Sequence, residues 1–252
     1  MLHLEIIGER LKREYGMKLV ATTPSIVYRV IEKKSPKEKM IYSAEDLPET
    51  NKLEAIKEPW VKLEIISPNS YLGAVMKLLQ KAGGIYKTTQ YLSSERVILE
   101  YEAPLREIIV DFYDRLKSAT SGYASMSYEF IEWRTADLVK LEILVNGEKI
   151  AALARIVARD KAAAEGKIIV KKLKDILPKQ LFSVAIQVSL DGKIIARETI
   201  AALKKDVTGY LYGGDRTRKM KLWQKQKAGK KKLKERGKVN IPHEVFLKML
   251  AP

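Results

Sequence analysis

The stretch that decides the fold runs from residue 59 to residue 134, and its first strand pattern is VKLEI at 61–65. Apolar and charged side chains alternate there, which predicts a half-buried strand. A helix is predicted over about 69–82, because apolar positions recur at helical spacing up to the glycine pair at 83–84. The remaining predicted elements are strands at about 86–92 and 96–102, a helix from Pro104 to Leu116, and a strand from Tyr123 to Trp133. The order βαββαβ is that of the ferredoxin-like arrangement.

Residues 138–252 predict a second α+β unit with two hairpins. An Asn-Gly pair at 146–147 and an Asp-Gly pair at 191–192 each stand between strand patterns, and such pairs favour tight hairpin turns. A return strand is expected at about 150–158, followed by a helix at 160–177. After the second hairpin the chain becomes Lys-rich. This segment is predicted to be helical, with one short helix behind it.

The N-terminal part of the sequence is less regular. Residues 2–15 predict a helix that ends at Gly16, and a strand pattern lies within 18–31. From 32 to 59 the sequence is charged and contains prolines, which predicts an irregular connection with at most a short strand near 40–42. The apolar face predicted for the helix consists of Leu4, Ile7, Leu11 and Tyr15.

Positive charge is concentrated in one segment. The net charge is +16, and twelve Lys and Arg residues face a single acid, Glu235, between Arg216 and Lys238. Like charges at helical spacing repel one another, so a helix here favours a polyanionic partner. RNA is the preferred interpretation; an anionic lipid surface and a solvated tail are the alternatives. Trp223 is expected to pack on its own domain rather than to stack on a base, because a lone indole is usually mostly buried.

Several kinds of site are excluded or disfavoured. The chain has no cysteine, so it can form no disulfide and no thiolate metal site. No Gly-Lys pair has the following Ser or Thr and the earlier glycine of a P-loop, so we expect a chain that binds no GTP and is not an enzyme. His3 and His243 lack catalytic neighbours, and Asp111 and Asp114 are expected on a solvated helix face. No apolar run is long enough for a transmembrane helix.

Strings along nearly the whole chain resemble the LepA (elongation factor 4) family of translational GTPases. The strings are LHLEI at 2–6, DFYDRLKS at 111–118, GYAS at 122–125, LVNGE at 144–148, RDK at 159–161, IIARET at 194–199 and YGGD at 212–215. The segment from Asp191 onward resembles the domain that separates LepA from its relative, the translocase elongation factor G.

The resemblance implies an α+β fold in three segments. Residues 1–58 would hold part of one ferredoxin-like domain and a connection. Residues 59–137 would form a ferredoxin-like domain similar to domain V of elongation factor G. Residues 138–252 would form the LepA-type C-terminal RNA-binding domain with its basic helix. The GTP-binding domain and the β-barrel of the family would lie outside this chain, so no cofactor is implied here; GTP and magnesium belong to the GTPase domain.

The resemblance also implies partners and site residues. The partners would be the ribosome, through its RNA and proteins, and tRNA, within a factor of back-translocation or of the rescue of stalled ribosomes. A separately encoded GTPase half would be a further partner. The candidate RNA-binding residues come from the family motifs and the basic segment: Arg159, Lys161, Arg197, Tyr212, Arg216, Arg218, Lys219, Lys221, Lys225, Lys230, Lys231, Lys232 and Lys234.

Three alternatives remain at this point. The chain could be a stand-alone basic RNA-binding or ribosome-assembly protein, a peripheral membrane protein that uses the basic segment, or a fragment without a function of its own. The expected location is the cytoplasm, and the membrane alternative adds a weak association with its anionic cytoplasmic face.

Overall fold

The structure is a computed structural model that describes residues 2–17, 25–203, 206–208, 216–236 and 239–250. The chain divides into two units, which we call unit 1 (residues 1–138) and unit 2 (residues 139–250). Both units combine helices with antiparallel sheets, so the predicted α+β class is confirmed. The finer division at residues 58 and 137 stays a prediction.

Unit 1 is an antiparallel sheet with helices packed against it. Its elements are, in chain order, α1 (Leu2–Tyr15), β1 (Tyr28–Glu32), β2 (Ser35–Ile41), β3 (Leu53–Pro68), α2 (Leu72–Lys81), β4 (Ile85–Tyr91), β5 (Arg96–Pro104), α3 (Leu105–Ile108), α4 (Phe112–Ala119) and β6 (Ser125–Thr135). Short 3-10 helices precede β3 and α2.

The βαββαβ order is confirmed from β3 to β6. The strands β6, β3, β5 and β4 lie side by side in that order, and each is antiparallel to its neighbour. The alternation in β3 places Val61, Leu63 and Ile65 in one core with Val75 and Leu79 of α2. Burial of each such side chain stabilises the fold by roughly 1.5–3 kcal/mol.

The predicted irregular connection over 32–59 is wrong. β2 occupies much of it and forms a hairpin with β1, and β3 already begins at Leu53. β1 also pairs with the first part of β3, with Val30 opposite Ile56. The lysines and the proline of β2 suit an edge strand, where exposed charges discourage pairing with a further chain. In the sequence, the same lysines and proline had indicated a loop.

The single helix predicted from Pro104 to Leu116 is two helices. α3 ends at Ile108 and α4 begins at Phe112. Ile108, at the end of α3, and Phe112, at the start of α4, are both buried in the core of unit 1. The break between the two helices therefore leaves both of them anchored in the core.

Helix α1 is confirmed, but two residues of its predicted apolar face are exposed. Gly16 has a φ of 62° and its amide donates to the Lys12 carbonyl at 3.1 Å, which makes it the expected C-cap. Ile7 and Tyr15 are exposed. Most of the strand pattern predicted at 18–31 falls on residues 18–24, which lie outside the described residues.

A buried ion pair joins β3 to α3. Glu58 is only 3% exposed, and Arg106 Nε donates to Glu58 Oε2 at 3.1 Å. Arg106 Nη2 also lies 3.6 Å from Glu107 Oε1. Tyr28 of β1 is buried within reach of these charges. Burial raises the pKa of Tyr28 to about 12; the Arg106 charge opposes this rise, while Glu58 and Glu107 add to it.

We expect Tyr28 to make unit 1 less stable at high pH. The phenol titrates near pH 10 in an unfolded chain, whereas its pKa in the fold is about 12. The folded state therefore favours the protonated phenol, and this contribution is complete below pH 10 and is lost as the pH rises from 10 to 12. Urea unfolding of the wild type should lose about 2 kcal/mol more between pH 9.5 and 11.5 than unfolding of Tyr28→Phe. Equal losses in the two proteins would contradict this assignment.

Unit 2 contains a second antiparallel sheet. Its elements are β7 (Leu138–Val145), β8 (Glu148–Lys149), β9 (Arg155–Ala158), α5 (Ala162–Ile176), β10 (Val184–Leu190), β11 (Lys193–Ile200), α6 (Arg216–Arg236) and α7 (His243–Leu250). The strands β11, β10, β7 and β8 follow one another in the sheet, and β9 also pairs with β7.

Both predicted hairpins of unit 2 are confirmed. Asn146 and Gly147 have φ values of 53° and 89°, and Asp191 and Gly192 have 49° and 80°. Positive φ at both central residues is the backbone that matches the twist of paired strands. The return strand predicted at 150–158 is interrupted, because a 3-10 helix before β9 turns a leucine into the core.

Helix α5 packs closely on the sheet of unit 2. Ile169, Val170 and Leu173 are buried there with residues of β7 and β10. A Cβ on Gly166 would lie 3.3 Å from Ile195 Cδ1, so glycine permits the close approach of α5 to β11. The predicted helices at 160–177, in the Lys-rich segment and at the end of the chain correspond to α5, α6 and α7.

Candidate nucleic-acid interface

The excess of positive charge belongs to one half of the chain. Residues 1–138 contain 20 Lys and Arg and 20 Asp and Glu, whereas residues 139–252 contain 27 and 11. Helix α6 alone carries eleven Lys and Arg residues and one acid. A polyanion is therefore attracted to the C-terminal part of the chain and not to unit 1.

Several basic side chains on the sheet of unit 1 have acidic partners. Glu102 accepts from Lys87 at 2.8 Å and from Arg134 at 2.6 Å, and these hydrogen bonds hold the pKa of the Glu102 carboxyl below its usual value. Lys62 lies 3.1 Å from Glu100, and this hydrogen bond raises the pKa of Lys62. Cations that are already paired with carboxylates attract a phosphate less strongly than the lysines of α6, a helix with a single acid.

One side of α6 forms a continuous basic stripe. Arg218, Lys221, Lys225 and Lys232 are all exposed. At 3.6 residues per turn they fall within an arc of about 60° and extend over about 21 Å of the helix axis. We call these four residues the basic stripe. Its length and its single sign of charge match a row of backbone phosphates.

The opposite side of the C-terminal half of α6 faces its own unit. Lys230 is half-buried, and its Nζ donates to the Leu203 carbonyl at 2.8 Å. A shallow groove lies between α6 and the ends of β10 and β11, where Lys227 and Lys231 approach Ser183 and Ala202. None of the four stripe residues lines this groove, so the whole stripe is open to a partner.

The structure also places the other candidates on α6. Arg216 and Lys231 are exposed, and Lys219 is half-buried. The backbone of Lys234 belongs to the helix, but its side chain lies outside the described residues. Tyr212 lies outside the described residues altogether. The assignment of all these residues to RNA stays a prediction.

Two of the candidates from family motifs lie at the far end of the β10–β11 hairpin. Arg159 Nη1 is 4.0 Å from Asp191 Oδ2 in the hairpin turn, and Lys161 directly precedes α5. The groove at α6 lies at the opposite end of this hairpin, roughly 25 Å away along the strands. Arg197 is exposed on β11, opposite Gln187. The structure therefore does not bring Arg159 and Lys161 to the part of α6 that borders the groove.

Trp223 corrects one of the predictions. It was expected to pack on its own domain, but its side chain is 55% exposed on α6. Average burial of tryptophan is a weak guide here, because the positions one turn before and one turn after Trp223 are Lys219 and Lys227. An exposed indole inside a basic helix is a second candidate feature of this surface, which the sequence alone did not favour.

In the part of the chain that the structure describes, no cluster of three His, Asp or Glu residues could hold a metal ion. Among the same residues, no helix has the length and apolar character needed to cross a membrane.

Two family models match adjacent parts of the chain. The model described as "GTP-binding protein LepA C-terminus" matches residues 145–251, which includes most of unit 2. The model described as "Elongation factor G C-terminus" matches residues 55–144, which includes the βαββαβ part of unit 1.

Curated relatives match the chain from end to end. Elongation factor 4 of Campylobacter jejuni is 50% identical over 250 residues, which cover 99% of this chain and 42% of the relative. The corresponding protein of Sulfurimonas denitrificans is 47% identical with the same coverage, and "Elongation factor 4 1" of Lactiplantibacillus plantarum is 48% identical over 99% of this chain and 41% of its own length. The chain spans about two fifths of the length of these relatives. Over nearly its whole length it is therefore similar to the C-terminal portion of the LepA (elongation factor 4) family.

Proposed function

We propose that this chain is the ribosome- and tRNA-binding part of a LepA-type translation elongation factor, and that α6 is its main contact with RNA. The observation that carries the proposal is the basic stripe of α6, which is exposed and lies on a helix with a single acid. GTP hydrolysis in back-translocation or in rescue of stalled ribosomes would belong to parts of the family protein outside the matched region.

The arrangement of apolar residues on α6 favours RNA over a membrane surface. Met220, Trp223 and Leu233 are its large exposed apolar side chains. At 100° per residue they are spread over an arc of about 140°, and lysines lie between them. An in-plane membrane helix needs one apolar face that can be buried among acyl chains. Neutralisation of phosphates needs only exposed cations, which α6 has.

The test compares tRNA with anionic vesicles for the full 252-residue chain. If about half of the eleven cations of α6 contact phosphates, the logarithm of the association constant for tRNA should fall with the logarithm of salt concentration at a slope of about −4 to −5. Binding would be followed by fluorescence anisotropy between 50 and 300 mM salt. Vesicles with 30% phosphatidylserine should bind more weakly at each salt concentration. Tighter binding to vesicles than to tRNA, or a flat salt dependence for tRNA, would contradict the proposal.

A further inference from the structure

Trp223 stands between two cations on the surface of α6. Lys219 precedes it by four residues and Lys227 follows it by four, so each lies about one helical turn, roughly 6 Å, along the axis. The indole is 55% exposed, and Met220, three residues before it, is 48% exposed. Lys219 is half-buried, and Lys227 is exposed at the edge of the groove. This part of α6 therefore presents an aromatic side chain with one cation a turn before it and another a turn after it.

We propose that Trp223 binds an unstacked base of single-stranded RNA, while Lys219 and Lys227 bind the phosphates on either side of that base. This inference rests on the proposed function, because it deepens the role of α6 in RNA binding. It assigns to α6 a preference for unpaired nucleotides, which the basic stripe alone does not supply.

Stacking accounts for the position of the indole better than packing does. A base has two apolar faces and a charged backbone, which together complement an indole flanked by ammonium groups. In a duplex both faces of a base are already covered by its neighbours, so only unpaired nucleotides can use the indole. The basic stripe lies on a different side of α6, and the two surfaces can therefore bind one folded RNA at different points.

The experiment measures the binding of two RNA probes to the full chain: a 12-nucleotide oligouridylate and a 12-base-pair duplex. Trp223→Ala should weaken binding of the oligouridylate roughly tenfold and binding of the duplex less than twofold, since stacking on one aromatic ring is lost. The salt slope should not change, because no phosphate contact is removed. Trp223→Phe should restore most of the affinity, and Lys219→Gln with Lys227→Gln should flatten the oligouridylate slope by about 1.4 units.

Tryptophan emission supplies a second readout. Oligouridylate should lower the tryptophan emission of the wild type more than that of Trp223→Phe, because a stacked base quenches the indole that it contacts. A Trp223→Ala variant that loses affinity equally for both probes, or for neither, would overturn the stacking role while leaving salt-dependent binding by the basic stripe intact. If the wild type binds neither probe in a salt-dependent way, the proposed function fails as well. An emission change with anionic vesicles but not with RNA would overturn the stacking role in favour of a lipid surface.

Discussion

Replacement of the four basic-stripe residues with Gln is expected to lower the affinity of the chain for tRNA by roughly a hundredfold at physiological salt. Each phosphate contact that is lost removes the release of its counterions, so the salt slope should become less steep by about three to four units. The substituted residues are Arg218, Lys221, Lys225 and Lys232. All four side chains are exposed, so the fold should be affected little. Anisotropy titrations of labelled tRNA at several salt concentrations measure both quantities, and circular dichroism checks the fold.

A matched control at α5 and just after it distinguishes a local site from a diffuse effect of positive charge. Substitution with Gln at Lys167, Lys171 and Lys172 of α5, and at Lys179 three residues after α5, removes the same number of charges from exposed positions of the same unit. Lys174 is left unchanged, because its Nζ lies 2.8 Å from Glu198 Oε2 and this hydrogen bond lowers the pKa of the Glu198 carboxyl. The control should change the salt slope by less than one unit. An equal effect of both sets would mean that charge acts diffusely and that α6 is not the RNA site.

Turn chemistry made much of the fold predictable. The hairpins at 146–147 and 191–192 follow from residue types that tolerate positive φ, and those residues adopt it. The βαββαβ order follows from two periodicities separated by glycines and prolines. Only the end of β2 was predicted, as a short strand near 40–42, because the strand is stabilised by pairing with β1, whereas three of its own seven residues are charged and one is proline. The composition of a strand alone does not show which neighbouring strand it pairs with in the sheet.

The candidate site was predictable in charge but not in geometry. The number of Lys and Arg residues along the sequence is enough to locate the basic helix, because the charge of α6 does not depend on tertiary contacts. The exposure of Trp223 does depend on them, since the same indole would be buried if another element covered that side of α6. The separation of Arg159 from the groove is likewise set by the length of the β10–β11 hairpin, which the motif RDK does not encode.

Arg106→Met is expected to destabilise unit 1 by about 3 kcal/mol, because it removes the cation that faces the buried Glu58 carboxylate. Glu58 is 3% exposed and Arg106 Nε lies 3.1 Å from its Oε2, so water replaces the lost interaction poorly. Urea unfolding followed by tryptophan emission reports mainly on unit 1, since two of the three tryptophans, Trp60 and Trp133, lie there.

Arg115→Met is the matched control for this substitution. Arg115 pairs with Asp111 at 3.4 Å, but both side chains are more than half exposed, so its loss should cost less than about 0.5 kcal/mol. Adding Glu58→Leu to Arg106→Met should recover much of the stability, because no buried charge then remains without its cation. If Arg106→Met costs no more than Arg115→Met, the contact between β3 and α3 contributes no more than an exposed ion pair. The stability of unit 1 would then rest on its apolar core, in which Phe112 and Leu116 of α4 are buried together with residues of β3 and β5.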